Sequence, residues 1–94
     1  MFRITKAYEN DSTEIFRIEG EVTDENLQNW TQAIALLQPS DSKSVILDFA
    51  QVWFMSTRAV EELIRVLTDR SYVMNGGMEL RNLLHVSGLS EKML

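Results

Sequence analysis

A strand, a helix and a second strand, each with its own hydrophobic rhythm, follow one another between Glu14 and Leu47 and confine the chain to an α/β architecture. In the first of these, Phe16, Ile18, Gly20 and Val22 share one face, while Ile15 shares the other with Arg17, Glu19 and Glu21. Such alternation buries one face and leaves the other wet. Leu27, Trp30, Ile34 and Leu37 then recur at helical spacing, with Thr23 as the cap and Val22 and Leu27 at the positions of a hydrophobic staple. Pro39 and the polar run Ser40-Asp41-Ser42-Lys43 stop the helix. Val45-Ile46-Leu47 is continuously apolar, which predicts a strand buried on both faces. Strand, helix and buried strand in this order imply a right-handed parallel crossover.

The flanking segments complete the pattern. Phe2 to Ala7 alternates as a strand, and Asn10-Asp11-Ser12-Thr13 has turn chemistry, so the first two strands form a hairpin. Gln51 to Met55 reads as a linking loop. A second helix is expected from Ser56 or Thr57, with Val60, Leu63, Ile64 and Leu67 as its core stripe. Glu61 and Glu62 are expected in its first turn, Arg70 in its last, and Glu61 pairs with Arg65 at i, i+4. Asn75-Gly76-Gly77 breaks the chain, and Met78-Glu79-Leu80-Arg81 alternates as a short last strand. Asn82 to Leu94 holds a short helical tail interrupted at Gly88. The expected order is ββαβαβα: residues 1–94 as a single α/β domain, a small mixed β-sheet covered by helices.

Composition bounds the function. A net charge of −5 with scattered basic residues disfavours nucleic acid and anionic membrane surfaces, which are held by Lys and Arg. No run approaches the roughly 20 apolar residues that cross a bilayer, and Met1 to Lys6 lacks the apolar centre of a signal peptide. The cytoplasm is the expected compartment. The absence of cysteine removes disulfides, thiolate metal sites and thiol nucleophiles. No nucleophile–base pair, Gly-rich phosphate loop or metal-ligand cluster stands out, so the chain is expected to be no enzyme and to need no cofactor or metal. His85 has no carboxylate pattern around it and reads as a surface or half-buried residue; Met74, Met78 and Met93 read as core and tail filler.

The informative run is Leu47-Asp48-Phe49-Ala50-Gln51-Val52-Trp53-Phe54-Met55-Ser56-Thr57-Arg58-Ala59-Val60. It resembles the signature of STAS domains, the family of anti-sigma-factor antagonists, in which an apolar strand ends in Asp and leads to Val-x-Phe-(Met/Ile)-Asp-Ser-(Ser/Thr)-Gly. Leu47, Asp48, Phe49, Val52, Phe54 and Met55 match directly, and Thr57 falls at the serine that antagonists present for phosphorylation. Gly20, the helix from Asp24, the Gly-Gly turn and Leu80-Arg81-Asn82-Leu83 also fall where the family places similar features. Three positions depart from the pattern. Ser56 stands for the acidic residue, Arg58 for the second hydroxyl, and Ala59 for the glycine; the tail after Asn82 is also shorter.

The resemblance implies a bacterial signalling domain that regulates transcription by docking an anti-sigma factor that is also a serine kinase. Phosphorylation at the start of the second helix blocks that docking. The residues implied in partner binding are Asp48, Trp53, Met55, Ser56, Thr57, Arg58 and Ala59, with Thr57 and then Ser56 as phosphoacceptors. A phosphate there adds roughly −1.5 to −2 charges where the helix N-terminus tolerates them, and Arg58 offers a pairing cation. The wider family also contains constitutive, unphosphorylated scaffolds in stress-signalling assemblies with other STAS proteins, and a small subunit that packs on a lipid-transporter ATPase. Each site residue keeps a plainer reading. Ser56 and Thr57 also suit helix capping, and Asp48 suits a turn-capping carboxylate. Trp53 either anchors a partner or folds back on the domain. If Val52 and Phe54 point inward, Trp53 and Met55 alternate outward.

Overall fold

The computed structural model describes residues 1–40 and 42–94; Asp41, within the polar run read as the stop of the first helix, lies outside them. In chain order the elements are β1 (Phe2–Glu9), β2 (Thr13–Val22), α1 (Leu27–Ala35), β3 (Ser44–Met55), α2 (Thr57–Val66), β4 (Ser71–Met74) and α3 (Met78–Val86). Among the described residues, the strands form one mixed sheet in the order β1-β2-β3-β4. The first pair is antiparallel; β2–β3 and β3–β4 are parallel crossovers through α1 and α2. The ββαβαβα order therefore stands, as does the hairpin. Its turn is tied by Asn10, whose Oδ1 accepts the backbone N–H groups of Ser12 and Thr13 at 2.8 Å each.

One face of the sheet carries the core. Ile18 and Val22 of β2, Val45, Leu47 and Phe49 of β3 and Val73 of β4 pack with Trp30 and Ile34 of α1, Val60 and Leu63 of α2, and Leu80 and Leu84 of α3. Trp30 is fully buried, and its ring meets Phe2 and Phe49 edge-on at centroid distances of 5.3 and 6.4 Å. The indole N–H would be costly if left unpaired there, and it donates to the Ala59 carbonyl at 3.0 Å. This bond locks α1 to the first turn of α2.

β3 is not buried on both faces as its apolar run predicts. Ile46 is half-buried and lies with its paired neighbours Ile15 and Tyr72 on the face opposite the core. A central strand flanked by two others tolerates apolar residues on its open face because the neighbours shield them. Gly20 sits at φ 100°, and a Cβ there would lie 2.3 Å from the Met1 carbonyl oxygen, so the close approach of β1 to β2 requires glycine.

The C-terminal half departs further. α2 ends at Val66, where Leu67 turns extended, so Arg70 lies beyond the helix and neither Glu61 nor Glu62 is in its first turn. Arg65 pairs with Glu62 at 2.8 Å rather than with Glu61. The last strand is Ser71–Met74, not Met78 to Arg81, which opens α3 instead. After α3, Gly88 at φ 74° is followed by a short 3₁₀ turn, and Leu94 N–H bonds the Val73 carbonyl on the outer edge of β4. No described helix is long and apolar enough to cross a membrane.

Candidate functional site

The site begins where β3 stops being regular. Its pairing with β2 runs in step to Arg17↔Asp48, resumes at Glu19↔Gln51, and slips again between Gly20↔Val52 and Glu21↔Phe54. Each slip inserts one extra residue into β3. Bulges of this kind re-aim side chains. The consequence is that Val52 and Met55 pack against the core, while Trp53 is 73% and Phe54 48% exposed. The segment read as a loop is thus bulged strand. The expected alternation is broken by the second bulge: Phe54, expected inward, faces out, and Met55, expected outward, faces in.

Across from this segment stands the first turn of α3. Phe49, Val52 and Leu80 line a groove of about 220 Å³ together with the more exposed Trp53, Phe54, Met78 and Glu79. Met78 is 79% exposed, so it is not the core filler expected from sequence. Three large apolar side chains from two distant segments therefore border one depression. Neither Phe54, Met78 nor Glu79 was among the sequence candidates. The sequence does signal the helix start that carries the last two, though not what it faces: a glycine, then an acidic residue in a first turn, then Leu80, Leu83 and Leu84 at helical spacing.

At the start of α2 the two hydroxyls have different partners. Ser56 is the N-cap; its Oγ accepts the Ala59 N–H at 3.2 Å, and its own N–H bonds the Val22 carbonyl at 2.9 Å. Thr57 is exposed, and its Oγ1 donates to Glu79 Oε1 at 2.6 Å. That bond joins the N-terminal turns of α2 and α3. Arg58 is exposed and makes no hydrogen bond or ion pair among the described residues.

Two sequence candidates fall away from this surface. Ala59 is fully buried with its carbonyl on Trp30, so it presents nothing to a partner. Asp48 lies before the first bulge, opposite the core face, where its Oδ1 accepts the Ala50 N–H at 2.9 Å and Asn75 Nδ2 at 3.0 Å. It caps the bulge and pins Asn75, whose φ of 58° turns the chain toward α3. His85, exposed, contacts Ser90 Oγ through Nδ1 at 3.1 Å and takes no part in the groove.

The family model for the STAS domain matches residues 5–93. No curated protein matches the chain in sequence. An anti-sigma factor antagonist from Mycobacterium paratuberculosis is similar in structure, with a TM-score of 0.71 at 17% identity over 99% of this chain and 83% of the other. The anti-sigma factor antagonist SpoIIAA in its unphosphorylated form gives 0.63 at 20% identity, covering 100% of this chain and 86% of that one. The Bacillus cell fate determinant SpoIIAA in the phosphorylated form gives 0.61 at 20% identity, covering 100% and 89%. At these identities the likeness is one of fold.

Proposed function

The chain belongs to the STAS domain family, and we propose that it docks a protein partner through the groove between the bulged end of β3 and the start of α3. Trp53, Phe54 and Met78 are its apolar anchors, and Thr57 is the hydroxyl whose phosphorylation weakens docking. The observation that carries this reading is the exposure of those three side chains around one groove, beside an exposed hydroxyl at a helix N-terminus. Exposed aromatics bordering a cleft gain most when a partner desolvates them. The similar structures include proteins named anti-sigma factor antagonists, which supports an anti-sigma factor with serine kinase activity as the partner. On this reading residues 1–94 act as one domain in the cytoplasm, with no chemistry or cofactor of their own.

Titration against a candidate anti-sigma kinase tests the proposal. Trp53→Ala is expected to weaken binding by about 2 kcal/mol, as truncated hot spots do. Thr57→Glu is expected to weaken it as well, and Thr57→Ala to leave it close to wild type. Unchanged binding by both Trp53→Ala and Thr57→Glu would remove this surface from the interaction.

A second reading is a constitutive scaffold, in a stress-signalling assembly or on a lipid-transporter ATPase. The hydroxyl partners favour it: Ser56 is engaged as a cap and Thr57 already faces a carboxylate. Mass spectrometry of the native protein separates the two, since a scaffold carries no phosphothreonine at position 57 under any growth condition.

A further inference from the structure

We propose that Glu79 couples Thr57 to the shape of the groove, so that a phosphate on Thr57 acts on docking by driving the first turn of α3 away from α2. The inference rests on the docking reading above. Thr57 is the first residue of α2 and Glu79 the second of α3, and their hydrogen bond of 2.6 Å holds the two helix starts together. Glu79 and its neighbour Met78 line the groove, so displacing that turn moves one wall of the docking surface.

The chemistry of phosphorylation reverses the sign of this contact. Transfer from a nucleoside triphosphate forms a bond between Oγ1 and the γ-phosphorus and breaks the bond from that phosphorus to the bridging oxygen. A nucleoside diphosphate leaves, and the hydroxyl proton is released. That proton is the one Oγ1 now donates to Glu79. An ester oxygen has nothing to donate. In its place stands a group of roughly −1.5 to −2 charges within reach of a carboxylate, and like charges at that range repel.

The local anchoring decides which side yields. The start of α2 is fixed by the Ser56 cap, by the bond from Ser56 N–H to Val22, by buried Ala59 and Val60, and by Trp30 on the Ala59 carbonyl. The start of α3 has no side-chain cap at Gly77, and its first two residues, Met78 and Glu79, are exposed, with burial beginning at Leu80. It follows the turn Asn75-Gly76-Gly77, in which Asn75 already holds a φ of 58°. α3 therefore moves and α2 stays. Arg58, exposed and without a described partner, is adjacent in sequence and supplies the cation that the phosphate takes in exchange.

Amide hydrogen exchange on the free protein tests this without any partner. The reporters are the amides of Arg81, Asn82 and Leu83, whose helical acceptors lie at Gly77 to Glu79; the first of these bonds is 3.0 Å. Thr57→Glu, and independently Thr57→Asp, is expected to speed their exchange about tenfold while leaving the amides of Leu63 and Ile64 unchanged. Thr57→Val, which removes the donor and adds no charge, is expected to give a clearly smaller rise. Adding Glu79→Gln to Thr57→Glu is expected to restore exchange to within about twofold of wild type, because the carboxamide donates to the introduced carboxylate. The proposal is overturned if the acidic variants leave α3 unchanged, if Thr57→Val matches them, or if Glu79→Gln gives no rescue. Docking is not measured here, so its failure and the failure of this coupling are read separately.

Discussion

The two halves of β3 have nearly the same apolar content and opposite fates. From Val45 to Asp48 the strand is paired on both sides, with β2 and β4, and Val45, Leu47 and the next residue, Phe49, enter the core. Among the described residues, pairing with β4 ends at Asp48↔Met74; beyond it the strand is paired with β2, and two bulges turn Trp53 and Phe54 outward. The same residue types therefore stabilise the fold in one half and stay exposed in the other. Register, more than hydrophobicity, separates the core from the exposed aromatics.

The sharpest way to break this comparison is to truncate one aromatic from each half. Phe49 is 2% exposed and stacks edge-on with Trp30, so Phe49→Ala is expected to cost about 3–5 kcal/mol of stability. Trp53→Ala, removing a larger side chain that is 73% exposed, is expected to change stability by no more than about 0.5 kcal/mol. Urea denaturation measures both. A comparable loss from the two would mean that Trp53 folds back on the domain, and would return it to the plainer reading its sequence allowed.

How far the sequence reveals this arrangement depends on range. The alternation of β2 and the stripes of α1 and α2 are local, and they predict those elements correctly; the order ββαβαβα also agrees, although its last strand lies at Ser71–Met74 and not at Met78 to Arg81. Met78-Glu79-Leu80-Arg81 misleads because four residues fit both periods; only Leu84, one helical turn beyond Leu80 and also buried, distinguishes a helix. Ser71–Met74 escapes notice because Leu67 stays packed on the core after α2 has ended, which extends the apparent stripe. At the candidate site the resemblance points to Ser56 and Thr57 and the alternation to an outward Trp53, and Trp53 and Thr57 are indeed exposed. The inversion of Phe54 and Met55 is not legible, since a bulge is defined by the partner strand. Glu79 is hidden for the same kind of reason: it meets Thr57 across 22 residues of sequence, through a convergence of two helix starts that no local pattern encodes.

A smaller contrast lies at the junction from β3 into α2, between its two hydroxyls. Ser56 satisfies a backbone donor at the helix start, so Ser56→Ala is expected to cost about 1 kcal/mol. Thr57 satisfies no backbone group, and its bond to Glu79 is exposed, so Thr57→Val is expected to cost no more than about 0.5 kcal/mol. Thermal unfolding of the pair sharpens the contrast: one hydroxyl holds the fold, and its neighbour contributes little to it.

The smallest effect belongs to the opposite end of β3, where the regular half is bordered by charge. Lys43, just before the strand, and Lys6 of β1 both donate to Glu9, and Lys6 also pairs with Glu14 at 3.0 Å. The ammonium groups of Lys43 and then Lys6 hold the Glu9 carboxyl below its ordinary value of 4.5. A carboxylate with a depressed pKa stabilises the fold above the unfolded value and loses that contribution as pH falls through the folded one. Lys6 is raised by the hydrogen bonds it donates to Glu14 and then Glu9, so its contribution is complete below the ordinary lysine value of 10.5 and is lost as pH rises through the raised folded value. Lys6 and Glu9 are exposed and salt screens them, so the effect is expected to be slight. Glu9→Gln should lower the melting temperature a little at neutral pH and low salt, and the difference should vanish both as pH falls through the depressed Glu9 value and at high salt. Acid sensitivity unchanged by the substitution would show that the charged end of β3 contributes nothing, leaving burial of Val45, Leu47 and Phe49 to hold the regular half alone.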